Sequence, residues 1–226
     1  MVTVGSNVKL WRVGREVGPL DVDPKFQGAG RFDDPTRLVG VLYSADGRRT
    51  CLLELIAAWA ESPELKEIQQ RIPAPTTAEE ERDAARDREI ANSPRRVPPR
   101  LYERVYLSFA VDPPLEICDL LDVATRTHLA RDLTIACELR RYDFTELDKG
   151  AILSPHRPLT QAITQAIIRS AEGAGIRSES RHDGHVFNFF VGDRFQPQFV
   201  PTMNPERLTA EHPDLLSVAA DLGLTV

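Results

Sequence analysis

The chain has 226 residues, 42% hydrophobic and 27% charged, the balance of a folded globular protein rather than a fibrous or disordered one. With 34 acidic against 28 basic side chains its formal net charge is -6, which argues against a broad nucleic-acid-binding surface and leaves room only for a local basic patch. No apolar run reaches the ~18 residues of a membrane span, and the start MVTVGSNVKLW lacks a basic then apolar leader, so the expected location is cytoplasmic.

Val8 to Val13 alternates as a strand and ends at Gly14, and a loop rich in Gly, Pro and Asp follows. Leu38 to Ser44 is a second strand, with Asp46-Gly47 as the turn behind it. From Thr50 to about Ala60 a helix is apolar on every side, so burial is expected all round. Residues 61–104 change to charged composition punctuated by Pro73, Pro75, Pro94, Pro98 and Pro99, an insertion whose middle (TTAEEERDAARDREIA) reads as a solvated helix. Strands return at Arg104 to Val111 and Leu115 to Asp119. Leu129 to Ala136 and Pro158 to Glu172 read as helices, the latter with Leu159, Ala162, Ile163, Ala166 and Ile167 at helical spacing. Gly173 and Gly175 close it, Ile176 to Ser180 leads out, and Asp183-Gly184 turns into a strand at His185 to Val191. A tail from Pro201 ends in a helix over His212 to Leu222. The fold class is α+β, mixed sheets with flanking helices. One domain over 1–200 carries the insertion at 61–104, and 201–226 form the tail.

Cys51, Cys118 and Cys137 are widely spaced among apolar neighbours and read as reduced core residues. His182 and His185 flank the Asp-Gly turn without a further ligand motif, so no metal is expected. The chain has no GxxxxGK[ST] loop and no complete GxGxxG.

Glu54 stands out as the one charge in its apolar helix, and a buried carboxylate needs a partner. It follows Thr50 by four residues, not the three of a capping box. Either it makes a structural ion pair or it lies at the floor of a pocket. Arg31 sits in Gly28-Ala29-Gly30-Arg31-Phe32, where glycines permit close backbone approach and a guanidinium offers a planar fork for phosphate oxygens. Arg12, between Trp11 and Val13, is a second guanidinium, and Tyr43 at the end of its strand is either a stacking surface or core.

Taken in order, GAGRFDDP, VLYSADGRRTCLLELIAAW and GAGIRSESRHDGHVFNFFVG resemble the three blocks of the RES domain family, named for its Arg, Glu and Ser. The matching residues are Arg31, Tyr43, Glu54 and Ser180, with Ser178 as the alternative serine and Arg12 as an early strand arginine. Phe32 and Asp33 stand where members commonly have tryptophan and asparagine, and Glu179 stands where they often have proline. The resemblance implies a fold similar to the ADP-ribosyltransferase toxins and a cleft that binds NAD as substrate. It also implies cleavage of NAD by phosphorolysis or hydrolysis, with inorganic phosphate as co-substrate in the first case, or ADP-ribosyl transfer to a protein. Glu54 and Arg31 would be catalytic, and Arg12, Arg31, Tyr43 and Ser180 would bind NAD. An Xre-type antitoxin is the implied partner. The reading from another class is a non-catalytic interaction module, in which the charges are structural and the insertion meets a partner.

Overall fold

The computed structural model describes residues 1–22, 28, 30–60 and 95–226; the expected insertion helix lies outside them. The strands are β1 (Val2–Val4), β2 (Leu10–Arg15), β3 (Gly40–Ala45), β4 (Arg104–Val111), β5 (Leu115–Asp119), β6 (Gly175–Glu179), β7 (His185–Val191), β8 (Phe199–Pro201) and β9 (Glu206–Arg207). Among the described residues the α-helices are α1 (Arg48–Ile56), α2 (Val123–Leu129), α3 (Leu133–Arg141), α4 (Lys149–Leu153), α5 (Arg157–Ser170) and α6 (Pro213–Asp221). None is long and apolar enough to cross a membrane.

The strands form one mixed sheet in the order β1-β5-β6-β7-β3-β2-β4-β8, with β9 also on β4. Among the named strands of the described residues, β5 and β6 pair in parallel and the other pairs are antiparallel. Val4 and Ile117 at one end of this order share a buried cluster with Leu10 and Phe109 near the other, together with Leu42, Phe187 and Phe189. The sheet therefore curls on itself, which explains why β7 reads HVFNFFV rather than alternating: a central strand is covered on both faces.

Outside the curl, a second cluster packs α2, α3 and α5 against Val41, Cys118, Ile176 and Phe190. A third packs Leu52, Leu53 and Ile56 of α1 against Leu215, Val218 and Ala219 of α6, with Trp11 and Tyr106 stacked beneath at 5.3 Å. The C-terminal stretch thus supplies the surface on which α1 rests.

Three expectations need correction. Helix α1 spans Arg48–Ile56 and tightens into a 3-10 turn over Ala57–Ala60, and it is not buried all round: Glu54 is exposed. Instead of one helix over Leu129 to Ala136 there are two. Asp122 caps α2 by accepting from Thr125 N, and Asp132 caps α3 by accepting from Thr134 N and Ile135 N, as short acidic side chains do at helix starts. Of the cysteines, Cys118 is buried and Cys51 half-buried, but Cys137 is exposed on α3. Burial pushes the Cys51 and Cys118 thiols up to about 12.

Candidate active site

Four segments of chain meet at one end of β3, β6 and β7: helix α1, the β6–β7 hairpin, the α4–α5 junction and the glycine-bearing loop before β3. The hairpin supplies Ser180, only 5% exposed. Its hydroxyl accepts from His182 N at 3.0 Å and Asp183 N at 3.2 Å. With both lone pairs so used, its one proton is left to donate, and it goes to Glu54 Oε1 at 2.6 Å. The same oxygen accepts from Arg181 N at 3.1 Å. Glu54 needs no buried counter-ion, because it is a solvent-facing carboxylate held from behind by two donors. Gly184 closes the hairpin at φ +71, and an added Cβ there would stand 2.5 Å from Thr50 Oγ1, so glycine lets the hairpin lie against α1. His185 anchors the other side through Nδ1 to Asp46 Oδ2 at 2.7 Å. Ser178 lies on β6, 1% exposed, and takes no part in holding Glu54.

The loop before β3 is held through its main chain. Helix α5 turns three polar side chains towards it. Thr160 Oγ1 donates to Arg31 O, Gln161 Nε2 to Gly28 O at 3.1 Å and Gly30 O at 3.2 Å, and Thr164 Oγ1 to Phe32 O at 3.0 Å. From the other side Tyr43 Oη accepts from Phe32 N at 3.1 Å and donates to Asp33 Oδ1 at 2.7 Å, while Asp33 Oδ2 accepts from Gly30 N at 2.7 Å. Burial first, and then the Asp33 carboxylate, raise the Tyr43 phenol well above its usual range. Gly30 is required here: an added Cβ would stand 2.2 Å from Tyr43 Oη. Buried polar groups joined this completely define one conformation, and the conformation sets Arg31.

Arg31 reaches across to α4, donating through Nη2 to Ile152 O. Its Nε is buried without a hydrogen-bond partner among the described residues, a donor available to a ligand. Burial first, and then the charges of Arg181 and Arg157, lower the Arg31 guanidinium to about 10 against the opposing effect of Glu54 and Tyr43. Arg31 and Glu54 are thus within electrostatic reach of one another. Arg12 is placed differently. Its Nε donates to Pro19 O at 2.9 Å and its Nη1 to Tyr43 O at 2.7 Å, and burial lowers it to about 10. It braces β3 behind Tyr43.

Sequence reasoning missed Asp33, Thr160, Gln161, Thr164 and Arg181. A signal for three of these was present: Thr160, Gln161 and Thr164 occupy one side of a helix whose other positions are mostly apolar, a pattern that needs acceptors nearby. Also missed was His156 before α5, stacked on Tyr142 with ring centroids 3.9 Å apart. Burial, and then the charge of Arg181, lower the His156 imidazole below its ordinary value.

A family model described as "RES domain" matches residues 9–214. The chain belongs to the RES domain family. The match contains every segment of the site just described. No protein of curated function matches the sequence. Among solved structures, this RES domain is similar to the M. tuberculosis MbcT-MbcA toxin-antitoxin complex, with 14% identity and a TM-score of 0.52, over 97% of this chain and 91% of that one. The shared fold is the mixed α+β architecture, and Ser180 and Glu54 are hydrogen-bonded to one another beside the segment that Arg31 reaches.

Proposed function

We propose that this RES domain cleaves the bond between nicotinamide and ribose in NAD, by phosphorolysis or hydrolysis, and acts as the toxin of a toxin-antitoxin pair. The observation that carries the reading is the Glu54 carboxylate, exposed yet fixed by Ser180 and Arg181, within electrostatic reach of Arg31. In the reaction the C1′–N bond breaks with its electron pair passing to the pyridinium nitrogen, which leaves as neutral nicotinamide. Positive charge develops on the ribose, as in glycoside cleavage. A preorganised carboxylate stabilises such charge without reorganising. With Oε1 engaged from behind, Oε2 would meet the ribose. A water or phosphate oxygen then bonds to C1′, water losing a proton in the hydrolytic case. Arg31 would hold the pyrophosphate, Tyr43 would set the loop and line the nicotinamide end, and Ser180 would orient Glu54. Arg12 would act through Tyr43 O. The antitoxin expectation is supported by the neighbour, which was solved as a toxin-antitoxin complex.

The test is to incubate purified protein with NAD, with and without phosphate, and follow nicotinamide and the ADP-ribose product. Phosphate dependence with ADP-ribose 1″-phosphate as product means phosphorolysis; free ADP-ribose means hydrolysis. Glu54→Gln should abolish release while the fold persists, since its side chain is exposed. Undiminished release from folded Glu54→Gln would remove the proposed role. If neither nicotinamide nor modified protein appears under any condition, the interaction-module reading replaces the enzymatic one.

A further inference from the structure

The α4–α5 junction presents three consecutive backbone carbonyls, and two arginines from distant parts of the chain take all three. Arg31 donates to Ile152 O. Arg181 donates through Nε to Leu153 O at 3.0 Å and through Nη2 to Ser154 O. Carbonyls at a helix C-terminus carry partial negative charge and favour cations, so this short segment draws two guanidiniums side by side. Arg181 is exposed, and its backbone N–H is on Glu54 Oε1, so its side chain starts at the carboxylate and leads to Arg31. Two like charges held together repel, and an anion lying between them removes that repulsion.

On the reading that this cleft takes NAD, we infer that Arg181 is the second arm of an anion clamp with Arg31, gripping a doubly charged phosphoryl group beside Glu54. Arg181 is exposed at the carboxylate, whereas Arg12 lies behind β3 with Nε on Pro19 O and Nη1 on Tyr43 O. A fork whose nitrogens already point along one segment loses little further entropy on meeting phosphate oxygens. The chemistry has two sources, the pyrophosphate of the dinucleotide or inorganic phosphate as co-substrate.

The test is calorimetric binding of ADP-ribose, inorganic pyrophosphate and orthophosphate to the full chain and to Arg181→Ala and Arg181→Lys, with thermal unfolding of each. We expect Arg181→Ala to weaken binding of the anion it grips by roughly 10- to 100-fold. Arg181→Lys should recover part of that, since it keeps charge but not the fork. Loss confined to ADP-ribose and pyrophosphate assigns the clamp to the dinucleotide, and loss confined to orthophosphate assigns it to the co-substrate. Either upholds the clamp, also if wild-type protein releases no nicotinamide; in that case the NAD reading fails and the clamp stands. Unchanged affinity for all three anions in a folded Arg181→Ala protein overturns it, as does failure of the wild type to bind any of them. If Arg181→Ala does not fold, Arg181→Lys decides by the same comparison.

Discussion

Replacing Ser180 by alanine separates two roles that this serine could play. If it orients Glu54, the change acts on the carboxylate; if it contacts substrate, the change acts on binding. Ser180 donates one hydrogen bond of 2.6 Å to a carboxylate and accepts two from backbone N–H groups at 3.0 and 3.2 Å. A hydrogen bond to a charged group contributes about 1.5–3 kcal/mol. If all of it is lost from the positioning of Glu54, kcat falls by roughly 10- to 150-fold, at 1.36 kcal/mol per tenfold. The two N–H groups lie in an exposed hairpin where water replaces the serine, so the cost to the fold stays near the same 1.5–3 kcal/mol. At ~2–4 °C per kcal/mol for a chain of this size, Tm falls by roughly 3–12 °C. The assay is initial-rate nicotinamide release across NAD concentrations at a temperature well below the lowered Tm. We expect kcat to fall with KM little changed, and Ser180→Ala on top of Glu54→Gln to cost no more than Glu54→Gln alone, as for groups that act as a unit. A raised KM with unchanged kcat would refute the orienting role and make Ser180 a substrate contact.

Two further predictions concern the walls of the site. Gly30→Ala sets a Cβ 2.2 Å from Tyr43 Oη and 2.8 Å from Asp33 Oδ1. It should cost about 1–3 kcal/mol by overpacking, read as a lowered Tm, and release should be impaired through Arg31; adding Tyr43→Phe should recover part of the Tm, and no recovery would mean the clash is not with the phenol oxygen. The second concerns acid. The folded His156 imidazole is lowered below its ordinary 6.5 by burial and by Arg181, so between those two values the unfolded chain binds more protons, and stability falls as pH drops through 6.5. His156→Gln should show a smaller loss of Tm between pH 7 and pH 5.5 than the wild type, and an equal loss would remove His156 as a source of acid sensitivity.

The strands most legible in the sequence were those bounded by strong punctuation. β4 and β5, separated by Pro113-Pro114, and β7, entered from Asp183-Gly184, have the bounds that their β-branched and aromatic residues suggest. The Leu129 region was not legible, because Leu129-Ala130 and Leu133 to Ala136 lie close enough on either side of Arg131-Asp132 to read as one helix, and the break is made by Asp132, whose capping bonds depend on local backbone geometry. Helix α4 was missed for a related reason: five residues give no periodicity. The exposure of Glu54 was misread because composition cannot show which side of an apolar helix lacks a neighbour. Leu52, Leu53 and Ile56 are covered by α6 and the sheet, and Glu54 is on the exposed side, against the β6–β7 hairpin. Within the candidate site, Glu54, Arg31 and Tyr43 could be chosen on their chemistry and placement, and Ser180 only through the family resemblance. Arg181 could not, since an arginine beside a turn is ordinary until the fold brings the α4 carbonyls to it.

The grip of α5 on the loop before β3 bears on how such a protein can change over evolutionary time. Thr160, Gln161 and Thr164 contact carbonyl oxygens of residues 28, 30, 31 and 32, groups that every amino acid possesses. The loop's identity is therefore largely invisible to the helix that positions it. The elements fixed by side chain are few: a missing one at position 30, the Asp33 carboxylate on Gly30 N and Tyr43 Oη, and three polar ones more than a hundred residues downstream. Constraint on the arginine thus resides partly in three α5 side chains that bond to the loop's main chain and not to the guanidinium, and a substitution among them would disturb the site while leaving Arg31, Glu54 and Ser180 intact.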